Sequence, residues 1–179
     1  MVSTIFLVFS LAWFVFFSYI FISFLFNMVL PLLFWGAFYI ESNDNQIEKM
    51  IEFAKIKRGE KAVDLGAGDG KIIIALAKQN VESHGYEINP ILVWKARQKI
   101  TKAKVKNKAY MHWGNFWNKN IADFDAIFLY NISFNMRELE EKIIKEAKPS
   151  ARIISNQFPF PTLEPVKQEK NIYLYQKTS

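Results

Sequence analysis

Lys61-Ala62-Val63-Asp64-Leu65-Gly66-Ala67-Gly68-Asp69-Gly70, followed by Lys71-Ile72-Ile73-Ile74-Ala75-Leu76-Ala77-Lys78, is the stretch on which the fold turns. A short apolar run suits a strand, alternate glycines suit a turn that brings backbone close to a ligand, and the run after them suits a helix with free N–H groups at its start. That order describes a nucleotide-type cofactor site. Seventeen residues past Gly70, a second strand-like run, His84-Gly85-Tyr86-Glu87, ends in a carboxylate, where such folds accept hydrogen bonds from ribose hydroxyls. A dinucleotide fingerprint needs a small residue where, counting from Gly66, this chain has Lys71, which argues against NAD.

Working outward, Ile47, Met50, Ile51 and Ala54 recur at helical spacing behind Ser42 or Asn43 as a cap, predicting an amphipathic helix over about 43–56. Strands are expected at 61–65, 82–87, 109–112, 125–130, 151–156 and 171–175. Helices are expected from the glycine turn to about 79, from Asn89-Pro90 onward, and around Leu139, Ile143 and Ile144 as inward residues, ending near Lys148-Pro149. Alternation of strand and helix implies an α/β domain, Rossmann-like, with a mostly parallel sheet of about six strands. Ligands then bind at the carboxyl ends of the strands, where Asp64, Glu87, Asn115, Tyr130 and Gln157 fall.

Composition adds a second feature. From Val2 to Ile40 there is no Asp, Glu, Lys, Arg or His, and ten of the 17 phenylalanines lie there. About 20 apolar residues cross a bilayer as a helix, so residues 4–28 predict one transmembrane span, and no cleavage site follows it. The division expected is an anchor over 1–35 and a domain over 36–179, with a pre-domain segment at 36–60. Lys49, Lys55, Lys57, Arg58 and Lys61 follow the span and no basic residue precedes it, which orients the domain toward the cytoplasm. The chain is therefore expected to be a single-pass membrane protein.

Charge and cysteine usage narrow the chemistry. The net charge of +6 resides in residues 95–108, which hold seven basic groups and no acid, leaving 16 basic against 17 acidic residues elsewhere. On a helix Lys95, Lys99, Lys102 and Lys106 share a face, read either as a solvated surface or as a contact for anionic lipid. Without interleaved aromatics, nucleic acid is not expected as a partner. With no cysteine there is no thiol nucleophile or thiolate metal site, and His84 and His112 lack metal-ligand spacing.

The spacing Asp64-x-Gly66-x-Gly68-x-Gly70 resembles motif I of class I S-adenosylmethionine (SAM)-dependent methyltransferases. Gly36-Ala37-Phe38-Tyr39-Ile40-Glu41-Ser42 is similar to the segment ahead of the domain in a small family of membrane-anchored lysine methyltransferases, whose mitochondrial members modify the adenine nucleotide translocase and the c-subunit of ATP synthase. Gly85-Tyr86-Glu87-Ile88-Asn89-Pro90-Ile91-Leu92-Val93-Trp94 looks like that family's G-Y-E-x-N-P-x-L-V-W block. Leu139-Glu140-Glu141-Lys142, Ala151-Arg152-Ile153-Ile154 and Phe158-Pro159-Phe160-Pro161 match as well, so the resemblance covers about 36–176.

The resemblance implies a minimal class I methyltransferase domain with SAM as cofactor and a lysine of a membrane-associated protein as substrate. Gly66 and Gly68 would cradle the methionine part, Asp64 would orient its amino group, and Glu87 would hold the ribose. Asn115 and Phe116 would frame the adenine, Ser42 and Tyr39 would close over the cofactor, and Tyr39 and Tyr130 would line the reacting centre. The chain departs from the family where Phe38 and Glu41 replace prolines and Asn115 replaces an acid. Two other readings are a lipid or quinone methyltransferase and a SAM-binding module without catalysis.

Overall fold

The computed structural model describes residues 2–25, 44–129 and 136–177, with side chains of the first helix described from residue 9 onward. The chain divides into two compact units, residues 1–38 and 39–179.

In the first unit, α1 spans Val2–Phe24. Its described apolar side chains are exposed, among them Phe9, Phe14, Tyr19 and Phe21, and Trp13 stacks on Phe17 with ring centroids 5.6 Å apart. Among the described residues no helix is long and apolar enough to cross a membrane. The span expected over 4–28 is thus not supported by the fold.

The second unit runs α2 (Asp44–Ala54), β1 (Lys61–Leu65), α3 (Lys71–Lys78), β2 (Glu82–Glu87), α4 (Pro90–Lys102), β3 (Ala109–Trp113), a 3-10 turn (Phe116–Asn118), β4 (Ala126–Leu129), α5 (Met136–Glu146), β5 (Arg152–Asn156), β6 (Lys167–Glu169) and β7 (Ile172–Gln176). The sheet order is β3-β2-β1-β4-β5-β7-β6. The first five strands are parallel, while β7 is antiparallel to both β5 and β6. The central strands are apolar because both faces are covered: Ala62 to Leu65 and Ala126 to Leu129 are all buried.

Strand alternation sorts the core into two layers. Val63, Leu65, Ile127, Leu129 and Ile153 pack with Leu139 and Ile143 of α5. Ala62, Phe128 and Ile154 pack with Ile47, Met50 and Phe53 of α2 and Leu76 of α3. By that alternation Asp64 and Asn156 belong to the second layer, at the carboxyl edge of the sheet.

Three details correct the sequence reading. Seven strands are present among the described residues where about six were expected, because β6 is three exposed polar residues with no apolar signal. The basic face is interrupted: α4 stops at Lys102 and Lys104 turns left-handed at φ 60°, so Lys106 lies beyond the helix that carries Lys95 and Lys99. Ile144 is half-exposed rather than inward, since Leu139 and Ile143 set the buried stripe of α5.

Candidate active site

The glycine turn between β1 and α3 is left-handed at Gly66 (φ 85°), Gly68 (φ 53°) and Gly70 (φ 81°), a backbone that side chains with a Cβ resist. It lies down on β2. The amides of Gly66 and Ala67 both donate to the carbonyl of Tyr86 at 3.0 Å, and the amide of Gly68 donates to Glu87 Oε2 at 2.9 Å. The close approach is possible because residue 85 is glycine: a Cβ there would stand 2.7 Å from the Ala67 Cβ and 3.1 Å from Met111 Sδ. A glycine inside a strand pattern was the available sequence signal for this contact.

Glu87 therefore holds the loop in place. Its other oxygen, Oε1, accepts from the Asn89 amide at 2.8 Å, which joins the site to the start of α4, where the Asn89 side chain accepts from the Ile91 amide at 2.9 Å. Burial pushes the Glu87 carboxyl up, against the backbone amides that pull it down. Each oxygen keeps a further lone pair for a hydroxyl donor.

Two more acids sit at this turn. Asp64 is buried, and desolvation first, then the charges of Glu87 and Asp69, pushes its carboxyl up to about 8. Asp69, also buried, is paired with Lys99 of α4. Three carboxyls around one glycine loop make a setting that favours a cation. Among the described residues there is no cluster of acids and histidines that would hold a metal ion.

Past β3, Asn115 caps the 3-10 turn, its side chain accepting from the Trp117 amide at 3.0 Å. That bond leaves its amide NH2 available as a donor. Phe116 is half-buried and packs against Trp117 at 4.9 Å, and the buried Trp117 Nε1 has no hydrogen-bond partner among the described residues. Trp117 was missed in the sequence because nothing separates it there from a core aromatic. Ser42, Tyr39 and Tyr130 lie outside the described residues.

Residues 64–167 match the ANTKMT methyltransferase domain, more than half of the chain. This chain belongs to the ANTKMT methyltransferase domain family. It is 33% identical over 127 residues to the ATP synthase c-subunit lysine N-methyltransferase of Mus musculus, covering 71% of this chain and 51% of that protein. It is 33% identical over 122 residues to a protein-lysine N-methyltransferase of Saccharolobus islandicus (strain REY15A), covering 67% of this chain and 76% of that one. The chain thus spans about half the length of the mouse relative. The fold is shared with an RNA methyltransferase of Salinibacter ruber solved with S-adenosyl-L-homocysteine, with a TM-score of 0.75 at 23% identity, over 78% of this chain and 94% of that one. In this family member the matched region contains the glycine loop, Glu87, Asn115 and Phe116.

Proposed function

We propose that this chain is a SAM-dependent protein-lysine N-methyltransferase acting on a membrane-associated protein. The observation that carries the reading is the glycine loop clamped onto β2 by Glu87 beside the buried carboxyl of Asp64. The family match and the lysine methyltransferases among its relatives support it.

The residues fit the cofactor. A Cβ on Gly66 would meet nothing within 4 Å, so the loop presents open backbone, and the neighbouring acids suit an ammonium and a sulfonium. Gly66 and Gly68 would receive the methionine part, Asp64 its amino group and Glu87 the ribose hydroxyls. When bound, SAM supplies an electrophilic methyl group. The chain's own task is to align a neutral amine and keep water away, because a lysine with an ordinary pKa of about 10.4 is almost wholly protonated at neutral pH. Exposed Trp113 and half-buried Phe158 offer aromatic walls for that amine, whereas Phe160 is buried against Tyr175 and serves the core.

The bilayer is part of the same proposal. The uncharged stretch from Val2 to Ile40 and the exposed aromatics of α1 support a single membrane anchor, and the lysines after it support a cytoplasmic domain. Lys95 and Lys102 on α4 would meet anionic lipid at roughly 1 kcal/mol each. Anchoring raises the effective concentration toward membrane targets without a new contact.

Membranes carrying the chain, incubated with methyl-labelled SAM, should put label into protein and keep the chain in the pellet after a carbonate wash. Label in the organic extract would instead indicate a lipid or quinone methyltransferase, and binding without label a non-catalytic module. Glu87→Ala should abolish SAM binding; a variant that still binds and transfers normally would refute the site.

A further inference from the structure

The carboxyl edge of β5 contains an unsatisfied polar group in otherwise complete surroundings. Asn156 is fully buried, yet neither Oδ1 nor Nδ2 of its side chain has a hydrogen-bond partner among the described residues. Several groups near it in sequence are engaged. The Ser155 hydroxyl donates to the Phe158 carbonyl at 2.5 Å, the Gln157 amide donates to the Asn171 carbonyl at 2.7 Å, and the Phe160 amide donates to the Tyr175 hydroxyl at 3.0 Å. The buried carboxylate of Glu140 accepts from the amides of Thr162 and Leu163 at 2.9 and 2.7 Å, tying the loop after β5 to α5. Gln157 itself is left-handed at φ 86°, a conformation that a side chain with a Cβ resists, directly after the orphaned amide.

An unpaired buried amide costs about 1–3 kcal/mol, so one kept in a native fold calls for a reason. Its position suggests the reason. In the order β2-β1-β4-β5, Glu87 and Asn156 end strands three spacings apart, roughly 14 Å at about 4.8 Å per strand, on opposite sides of the glycine loop. Glu87 stands on the ribose side of the proposed cofactor. Asn156 stands on the other side of the loop, at the carboxyl end of β5.

We propose that Asn156 is the substrate-side contact of this site, its side-chain carbonyl accepting an N–H of the incoming lysine amine so that the nitrogen lone pair points at the methyl donor. This rests on the lysine methyltransferase reading. In the step served, the amine nitrogen bonds to the methyl carbon, the sulfur–carbon bond breaks with its electron pair left on sulfur, and the surplus proton on nitrogen leaves to solvent. Only a neutral amine has both the lone pair and an N–H to give, so the carboxamide, unlike a carboxylate, aligns it without stabilising the unreactive ammonium.

Asn156→Leu, which keeps the branched shape and removes the amide, should leave S-adenosylhomocysteine affinity within twofold of the wild type and the melting temperature of the free chain equal or higher. Its methyl transfer to membrane protein should drop at least 100-fold. Unaltered transfer overturns the proposal, and so does a lost cofactor affinity, which would put the amide in the cofactor pocket. A second measurement needs no variant. In the full-length wild type, saturated with S-adenosylhomocysteine, the side-chain amide protons of Asn156 should shift when Nα-acetyl-lysine methylamide is added; an indifferent resonance overturns the assignment. A wild type that labels no protein defeats the parent reading, whereas a working wild type with an equally active Leu variant defeats only the role of Asn156.

Discussion

Asp64 stands between Glu87 and Asp69 at the end of β1, and its carboxyl, lifted to about 8 by burial and by those charges, is mostly protonated at neutral pH in the free chain. A raised carboxyl binds its proton more tightly folded than unfolded, so its contribution to stability is complete below the unfolded value near 3.8 and is lost as pH rises through about 8. Asp64→Asn, neutral throughout, should therefore melt higher than the wild type at pH 8.5 and show no gain at pH 3.5. Ligand binding runs the other way, because an ammonium prefers the ionised acid. Calorimetry should find S-adenosylhomocysteine affinity rising with pH toward 8 in the wild type, with proton release, and a flat profile in Asp64→Asn. Gly85→Ala tests the seat of the loop: the added methyl collides with Ala67 and Met111, which should cost about 1–3 kcal/mol in denaturant titrations and weaken cofactor binding. Single residues were legible in the sequence where chemistry and spacing coincide, as at Glu87. Asn156 was not, since an asparagine at a strand end has the same letter whether or not its amide finds a partner.

Elements were legible where the pattern is strong. β1 and β2 fall at the residues expected because an apolar run and a glycine bound one, and a glycine-marked run and Asn89-Pro90 bound the other. β6 is invisible because three polar residues pairing with β7 carry no periodicity. The contact between α5 and the loop after β5 also leaves no pattern, although it fixes one wall of the proposed substrate side. Glu140→Ala should strand the amides of Thr162 and Leu163, costing about 2–4 kcal/mol, with their hydrogen exchange accelerated relative to the rest of the domain. Between β2 and β3, His84 Nδ1 and His112 Nε2 lie 3.0 Å apart, and burial first, then His84, holds His112 below its ordinary value. The unfolded chain then takes the proton more readily, so stability is complete above pH 6.5 and declines as pH falls through the lowered folded value. His112→Phe should flatten that decline in melts between pH 7 and 5.

At the scale of the whole molecule, the order of strands places the glycine loop, Asp64, Glu87 and Asn156 along one edge of one sheet. Binding at that edge is linked to the folding of the unit, and S-adenosylhomocysteine at 100 times its Kd should stabilise it by about 2.7 kcal/mol, raising Tm by several degrees in a thermal melt. An unchanged Tm would separate the shared fold from the proposed cofactor. The flank of the sheet has a different consequence. The outermost ladder is only Lys167-Gln168-Glu169, solvent-facing and charged at both ends, with the Lys167 ammonium 4.0 Å above the Phe53 ring. A second polypeptide drifting alongside meets too few backbone partners to extend, and two opposite charges to desolvate first. That stubby margin protects the domain against zippering into aggregates with its own kind.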